Sequence, residues 1–342
     1  MEKNELEEHI AAAQAEVIEM SKEEFQTSLS SCGEIYGYDN EDDWHTLREK
    51  RIGGSDIGAI LGVNKYKSII DVYIDKTEGI LFEGNESTYW GHIHESTIMK
   101  EFGKRHKEFI VYQAPYSVID DFLIANLDGV LKDKENGEYG VLEIKTTNAF
   151  NYKDWDGDIV PQYYYAQVQH YLMLTGYKFA YIAVLIGGQQ YKEFKIERNE
   201  EDINLIRNKA TEFYQENLLK KIPPMPDGSD AYMEHLKKKA LEIENNEVRE
   251  LPEFKEIAIR IKELARQKKL IEDEDKLLRE KILHKMIEEK TLKAVAGKYK
   301  FNISERKTPD IEKMTKENFE VMEKYNELAN KYRKVSKYLL VK

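Results

Sequence analysis

Apolar residues recur at helical spacing in the first part of the chain and then change to a strand pattern. Residues 55–61, 68–77 and 90–102 repeat their apolar positions every three or four residues, which predicts three helices. β-branched and aromatic runs follow at residues 109–119, 122–127 and 140–146, and they predict strands. Asn136-Gly137, a strong β-turn dipeptide, predicts a hairpin before the last of these strands.

The next stretch returns to helix and then to strand. Residues 161–174 are predicted to be helical, with Pro161 at the start and Gly176 just past the end. Residues 181–186 and 191–197 predict a second hairpin, and residues 200–219 a closing helix. The order of elements predicts an α+β or mixed α/β core, in which a central mixed sheet is flanked by helices.

The two ends of the chain differ from this core in composition. Residues 2–25 predict a helix, so residues 1–40 are interpreted as an acidic helical appendage to a core at 41–222. Residues 223–230 contain three prolines and a glycine and predict a linker. Residues 231–342 are predicted to form a helical C-terminal arm.

The arm is predicted to contain two helices before its last segment, and a strand pair at the end. The helices are placed at 231–244 and 252–292, and the strands at 299–303 and 335–341, around a helix at 311–332. Lys268 and Asp275 interrupt the apolar repeat of the long helix, which disfavours a long parallel dimer. The helix is therefore expected to pack against a neighbouring helix, outside the catalytic pocket.

Charge and cysteine content narrow the function classes. The net charge is −12, but residues 1–43 hold ten Glu and three Asp against two Lys, a net of −11 that leaves −1 for the rest. A nearly neutral core is compatible with a local basic groove for nucleic acid. Cys32 is the single cysteine, which excludes disulfides and cysteine-bound zinc or iron–sulfur sites within one chain. The lack of a long apolar run and of a basic, apolar N-terminus predicts a cytoplasmic protein with no membrane span.

Candidate chemistry lies on consecutive predicted strands. Glu143 and Lys145 are two residues apart, so they project from the same side of a strand, and a hairpin can bring Asp128 alongside. Oxygen ligands of this kind suit Mg²⁺, with Mn²⁺ as a substitute, and the Ile144 carbonyl can add a further ligand. Lys145 is expected to act as a general base if its pKa is depressed, and otherwise to stabilise negative charge. The alternative is an ordinary surface Glu/Lys pair.

Six ordered motifs resemble one nuclease family. They are Trp44-His45-x-x-Arg48, Gly54-Ser55-Asp56-Ile57-Gly58, Gly91-x-x-x-Glu95, Leu127-Asp128-Gly129, Leu142-Glu143-Ile144-Lys145 and Ala166-Gln167-Val168-Gln169-His170-Tyr171. In order and spacing they resemble the YqaJ-type viral recombinase family, which is similar to the exonuclease of phage lambda and belongs to the PD-(D/E)xK nuclease superfamily. The resemblance implies a restriction-endonuclease-like core, and it extends from about residue 41 to 230.

The resemblance implies roles for individual residues. Glu95, Asp128 and Glu143 match the metal-binding carboxylates, Lys145 the catalytic lysine, and Gln167 a glutamine behind the site. Arg48 and Ser55 match the binding site for the 5′-terminal phosphate of DNA. The family degrades one strand of linear duplex DNA from a 5′ end, leaving 3′ single-stranded tails for a single-strand annealing protein. The implied setting is phage-type recombination in the cytoplasm of a bacterial host, and the implied assembly is a trimer.

Three of these residues also have a purely structural interpretation. Arg48 can pair with the acidic residues 41–43, Ser55 can cap a helix, and Gln167 can be a satisfied buried amide. His92 and His94 flank Glu95 and suggest zinc, but residues two apart on a helix point away from each other. The run of tyrosines at 163–165 is expected to pack in the core rather than stack on bases.

Three other functions compete with this interpretation. One is a RecB-like or other PD-(D/E)xK nuclease of DNA repair or defence, although its iron–sulfur-bearing branch needs four cysteines. The second is a non-catalytic DNA-binding scaffold on the same fold, which loss of an acidic position would favour. The third is a protein–protein adaptor built from the acidic N-terminal helix and the C-terminal arm.

Overall fold

The computed structural model describes residues 17–30, 33–37, 46–79, 85–157, 159–245, 247–305, 316–317 and 319–333. The chain divides into two compact units, Met1–His235 and Leu236–Lys342. All of the residues predicted to carry chemistry belong to the first unit.

The described part of the first unit contains ten strands. In chain order they are β1 (Ile18–Glu19), β2 (Glu34–Gly37), β3 (Ile52–Gly53), β4 (Phe109–Gln113), β5 (Tyr116–Asp120), β6 (Leu123–Asn126), β7 (Gly129–Asp133), β8 (Tyr139–Thr147), β9 (Phe179–Ile186) and β10 (Gln190–Glu197). Six of them form a sheet in the order β1-β4-β7-β8-β9-β10, and four form a second sheet in the order β2-β5-β6-β3. The β1–β4 and β8–β9 pairs are parallel and the other pairs of the larger sheet are antiparallel. The predicted mixed α/β class is confirmed.

Helices cover the sheets. They are α1 (Lys22–Ser28), α2 (Gly54–Ile60), α3 (Ile69–Glu78), α4 (Glu86–Arg105), α5 (Gln162–Thr175), α6 (Glu200–Phe213) and α7 (Asp230–Leu241), with a 3₁₀ helix at Ala149–Trp155 and a π-helical turn at Tyr214–Leu218. The helix predicted at 161–174 is therefore present as α5, and Gly176 ends it with a positive φ of 76°.

Strand β8 lies at the centre of the larger sheet, and its two faces serve different purposes. Leu142 and Ile144 belong to the apolar cluster that Phe102 of α4 also enters. Val141 belongs instead to the larger cluster formed with α5. Because side chains alternate along a strand, Glu143 and Lys145 are directed to the α5 side. The face of β8 that is turned toward α5 thus carries the charged pair Glu143 and Lys145.

The predicted N-terminal helix is present at residues 22–25, which lie in α1, and is wrong at Ile18–Glu19. Ile18–Glu19 is a strand rather than helix, and it pairs with β4, while β2 pairs with β5. Met20 and Phe25 are fully buried in the main core. Backbone pairing with a sheet edge overrides the local helical preference of this segment. Residues 17–30 and 33–37 are therefore part of the core rather than an appendage, and residues 1–16 lie outside the described part.

Two strand predictions need correction. The run 109–119 is split into β4 and β5, which belong to different sheets, at Ala114-Pro115. Proline has no backbone N–H and cannot continue the ladder. Strand β7 was not predicted, and it is the partner that Asn136-Gly137 joins to β8, with Gly137 at a φ of 75°.

The second unit consists of a long helix, a hairpin and a shorter helix in its described part. A 3₁₀ turn at Pro252–Phe254 leads into α8 (Lys255–Glu288), followed by β11 (Lys293–Ala296), β12 (Tyr299–Asn302) and α9 (Phe319–Lys331). β12 pairs with β11. The predicted pairing with residues 335–341 falls outside the described residues. Within the described residues, no helix is long and apolar enough to cross a membrane.

Candidate active site

The acidic residue at the β6–β7 junction is tied to the central strand. Asp128 directly precedes β7, and its Oδ2 accepts a hydrogen bond from the backbone N–H of Ile144 at 2.8 Å. Glu143 and Lys145 flank Ile144, and the Lys145 ammonium donates to Glu143 Oε1. The structure therefore brings together the three residues that strand spacing placed on adjacent strands. Glu143 is 1% exposed, which argues against an ordinary surface pair.

Helix α5 supplies the support behind this group. Gln167 Nε2 donates to Glu143 Oε1 at 2.7 Å and lies 2.8 Å from the Tyr171 hydroxyl. Gln167 is a satisfied buried amide, as its structural interpretation predicted, and its contact with Glu143 also gives it a positioning role. Gly54 allows the close approach of α2, because a Cβ there would lie 2.5 Å from the Tyr171 ring.

Glu95 completes the acidic group from α4. Gly91, one turn earlier on this helix, lies against the end of β8, where a Cβ would be 3.5 Å from the Thr146 hydroxyl. Burial and the charge of Asp128 raise the pKa of Glu95 to about 7. The same two causes raise the pKa of Glu143 to about 8. These carboxyl groups therefore repel each other in an environment that also penalises their charge.

Lys145 carries the opposite charge. Burial opposes its protonated form, but the carboxylates of Glu143 and Asp128 hold the pKa of Lys145 well above its usual value. Its ammonium also lies 5.1 Å from the centre of the Tyr164 ring. Lys145 is thus a cation in this arrangement. The depressed pKa required of a general base is not found, which favours its role in stabilising negative charge.

One oxygen of the acidic group has no partner. Glu143 Oε2 is buried and accepts no hydrogen bond in the described structure. A buried carboxylate oxygen without a donor is costly, and a hard cation is the partner that would relieve both this and the repulsion among the carboxylates. Among the residues described, no three His, Cys, Asp or Glu side chains are placed to hold a metal ion as they stand. The donor set nevertheless fits one, because all of its ligands are oxygens.

Arg48 and Ser55 meet at the start of α2, next to Gly54, which packs against Gln167. Arg48 Nη2 donates to Ser55 Oγ at 2.8 Å, and Ser55 lies in the first turn of α2. The alternative pairing of Arg48 with residues 41–43 concerns residues outside the described part. Arg48 and Ser55 are both half-buried.

The sequence did not predict a buried ionic cluster next to Arg48, which is formed by Asp56, Lys67 and Lys76. Asp56 is 1% exposed and contacts Lys67 at 3.0 Å and Lys76 at 3.1 Å, while Lys76 also donates to the Arg48 carbonyl at 3.0 Å. Burial opposes ionisation, but Lys76, Lys67 and Arg48 hold the pKa of Asp56 well below its usual range. Two sequence signals pointed to Asp56: its place in the Gly54–Gly58 motif and its position at the third residue of a predicted helix, where its side chain accepts from Gly53 N.

The two histidines near Glu95 and the tyrosine run at 163–165 were also candidates in the sequence. His92 Nδ1 lies 3.6 Å from Glu95 Oε2, while the His94 ring packs near Trp90, so the two histidines do not converge. Tyr164 and Tyr165 pack against the main core, as predicted for the tyrosine run. Trp44 and His45 lie outside the described residues.

This chain is similar to known proteins. The family described as "YqaJ-like viral recombinase domain" matches residues 43–178. The protein YqaJ of Bacillus subtilis (strain 168) is 39% identical over 222 residues, which cover 62% of this chain and 67% of that protein.

Two solved structures have a weaker similarity. The alkaline exonuclease LHK-Exo of Laribacter hongkongensis matches with a TM-score of 0.44 and 19% identity, over 59% of this chain and 98% of that one. A phage-related exonuclease of Haemophilus somnus 129PT matches with a TM-score of 0.40 and 16% identity, over 52% and 99%. TM-scores this low do not assign a function to the chain. Its 39% identity with the Bacillus protein, over 67% of that protein, is sufficient to assign its family. The chain belongs to the YqaJ-like viral recombinase family.

Proposed function

We propose that this protein is a metal-dependent deoxyribonuclease that degrades one strand of linear duplex DNA from its 5′ end. The observation that carries the proposal is the unpartnered, buried Glu143 Oε2, in a group where Glu95 and Asp128 add negative charge and Lys145 adds a cation. This combination of hard oxygen ligands and an ammonium suits hydrolysis of a phosphodiester. Membership of the YqaJ-like viral recombinase family supports the same chemistry.

Glu95, Asp128 and Glu143, with the Ile144 carbonyl, would hold Mg²⁺, and Mn²⁺ would substitute for it. The bound ion would polarise the scissile phosphate and lower the pKa of an attacking water. Asp128 is oriented by the Ile144 N–H, and Glu143 by Gln167. Lys145 would stabilise the charge that develops on the phosphate, since its neighbours keep it protonated.

Arg48 and Ser55 would bind the 5′-terminal phosphate. Their 2.8 Å hydrogen bond aligns a guanidinium with a hydroxyl, and a phosphate oxygen could accept from both. A terminal phosphate at this place would make the enzyme depend on DNA ends. The products would be 3′ single-stranded tails for a single-strand annealing protein, in phage-type recombination in the host cytoplasm. A trimeric assembly through the nuclease core is part of the same proposal.

The test is digestion of linear and covalently closed circular duplex DNA. With Mg²⁺, linear duplex bearing a labelled 5′-phosphate should be consumed from that end, closed circles should be spared, and EDTA should stop the reaction. Equal cutting of closed circles would show that the enzyme does not depend on ends. Release of the 5′ label only after most of the nucleotides of that strand have been released would contradict the proposed direction.

A single substitution should separate end recognition from catalysis. Arg48→Ala should lower the preference for a 5′-phosphate over a 5′-hydroxyl by about tenfold or more, because a charge-assisted hydrogen bond contributes roughly 1.5–3 kcal/mol. The initial rates on the two substrates give the ratio. Lys50→Ala is the control, since Lys50 is an exposed cation two residues away. If Arg48→Ala keeps the wild-type ratio, the phosphate is bound elsewhere.

A further inference from the structure

Helix α8 presents a long apolar stripe to its surroundings. The stripe consists of Ile257, Ile261, Leu264, Ile271, Leu278 and Ile282, which recur at intervals of three, four or seven residues. Each of these side chains is 36–67% exposed. The helix has 34 residues and so is roughly 50 Å long. Apolar residues with this spacing over several heptads form the contact line of a coiled coil.

Two charged residues lie on the same line. Lys268 and Asp275 are one heptad apart, on either side of the middle of α8. In a parallel pair of identical helices each residue would face its own copy, so lysine would meet lysine and aspartate would meet aspartate. In an antiparallel pair with a twofold axis near Ile271, each Lys268 lies within one layer of Asp275 of the second copy. Charge complementarity therefore selects the antiparallel arrangement.

We propose that the α8 stripe is an interface with α8 of a second copy of this chain, packed antiparallel and held in register by two Lys268–Asp275 pairs. Within one chain, Lys268 Nζ lies 3.8 Å from Glu272 Oε1, and Arg279 Nε lies 2.6 Å from Asp275 Oδ2. Both are exposed pairs along one helix, which contribute only a few tenths of a kcal/mol. They can therefore be exchanged for contacts across the interface. The same two charges that interrupt the apolar line specify the register, as polar residues at core positions of coiled coils do.

The test uses charge reversal in the full-length protein, with the weight-average mass measured by sedimentation at fixed concentration. Lys268→Glu or Asp275→Lys alone should weaken self-association about tenfold or more, because each makes two like-charge contacts across the interface. The double variant Lys268→Glu/Asp275→Lys should restore it, and so should an equal mixture of the two single variants. Lys269→Glu is the matched control, because it reverses a neighbouring charge that lies off the stripe.

Three outcomes would overturn the proposal. If the single variants keep the wild-type mass, the stripe is covered by another part of the same chain or by a different partner. If the double variant does not recover, the charges do not meet across an antiparallel pair. If Lys269→Glu weakens association as strongly as Lys268→Glu, the effect is general electrostatics. Nuclease activity is not used as a readout, so the result does not depend on the proposed function.

Discussion

Glu143→Gln should reduce Mg²⁺-dependent digestion of linear duplex DNA by at least about a thousandfold while the protein remains folded. The amide keeps the size of the side chain and can still accept from Gln167 and Lys145. It loses the negative charge with which Glu143 would hold the metal, and Asp128→Asn should have a similar effect. The measurement is the initial rate of nucleotide release. The control is Glu197→Gln, which changes an exposed glutamate at the end of β10.

The same variant should not lose stability. Burial and Asp128 raise the pKa of Glu143 to about 8, above the ordinary value of 4.5. The unfolded chain ionises Glu143 near pH 4.5, whereas the folded protein does so only near pH 8. The free energy of unfolding therefore falls as the pH rises from 4.5 to about 8. At pH 8 the Tm of Glu143→Gln should lie no more than about 3 °C below that of the wild type. Near-wild-type digestion by a folded Glu143→Gln protein would show that the active site is elsewhere.

Asp56→Ala should produce the largest loss of stability, about 3–5 kcal/mol, because it leaves two cations without their shared carboxylate. Lys76 is 7% exposed and cannot regain full hydration, and Gly53 N would lose its acceptor at the start of α2. For a unit of this size the Tm should fall by about 10 °C or more. Thermal unfolding followed by circular dichroism measures the difference.

Asp75→Ala is the matched control for that loss. Asp75 also contacts Lys67, at 2.7 Å, but both side chains are part-exposed, so the expected cost is below about 1 kcal/mol. The pKa of Asp56 is held below its usual range, so its contribution is present above about pH 4 and is lost as the pH falls. The deficit of an Asp56→Asn variant should therefore shrink in acid. A Tm for Asp56→Ala within 2 °C of the wild type, or about 0.5–1 kcal/mol, would contradict a structural role for the cluster.

The pairing of Glu143 with Lys145 could be predicted because it depends on one strand. Alternation along a strand is a local property, so residues two apart share a face wherever the strand lies. The positions of α5 and the second hairpin were predictable for the same reason, since Pro161, Gly176 and the Gly187-Gly188 turn act within a few residues. The six motifs also identified the family from sequence, because their order and spacing are contained in the chain itself.

Contacts between distant segments could be decided only by the tertiary structure. The burial of Glu143, its unpartnered oxygen and the raised pKa of Lys145 arise from α4, α5 and β7 meeting around β8, and local periodicity does not determine which elements meet. The Asp56–Lys76 contact spans twenty residues between two helices, and only packing brings them together. Ile18–Glu19, predicted to be helical, is a strand because β4 supplies its backbone partners. Sequence alone thus determined which side chains share a strand or a helix, and the fold decided which of them are buried and charged together.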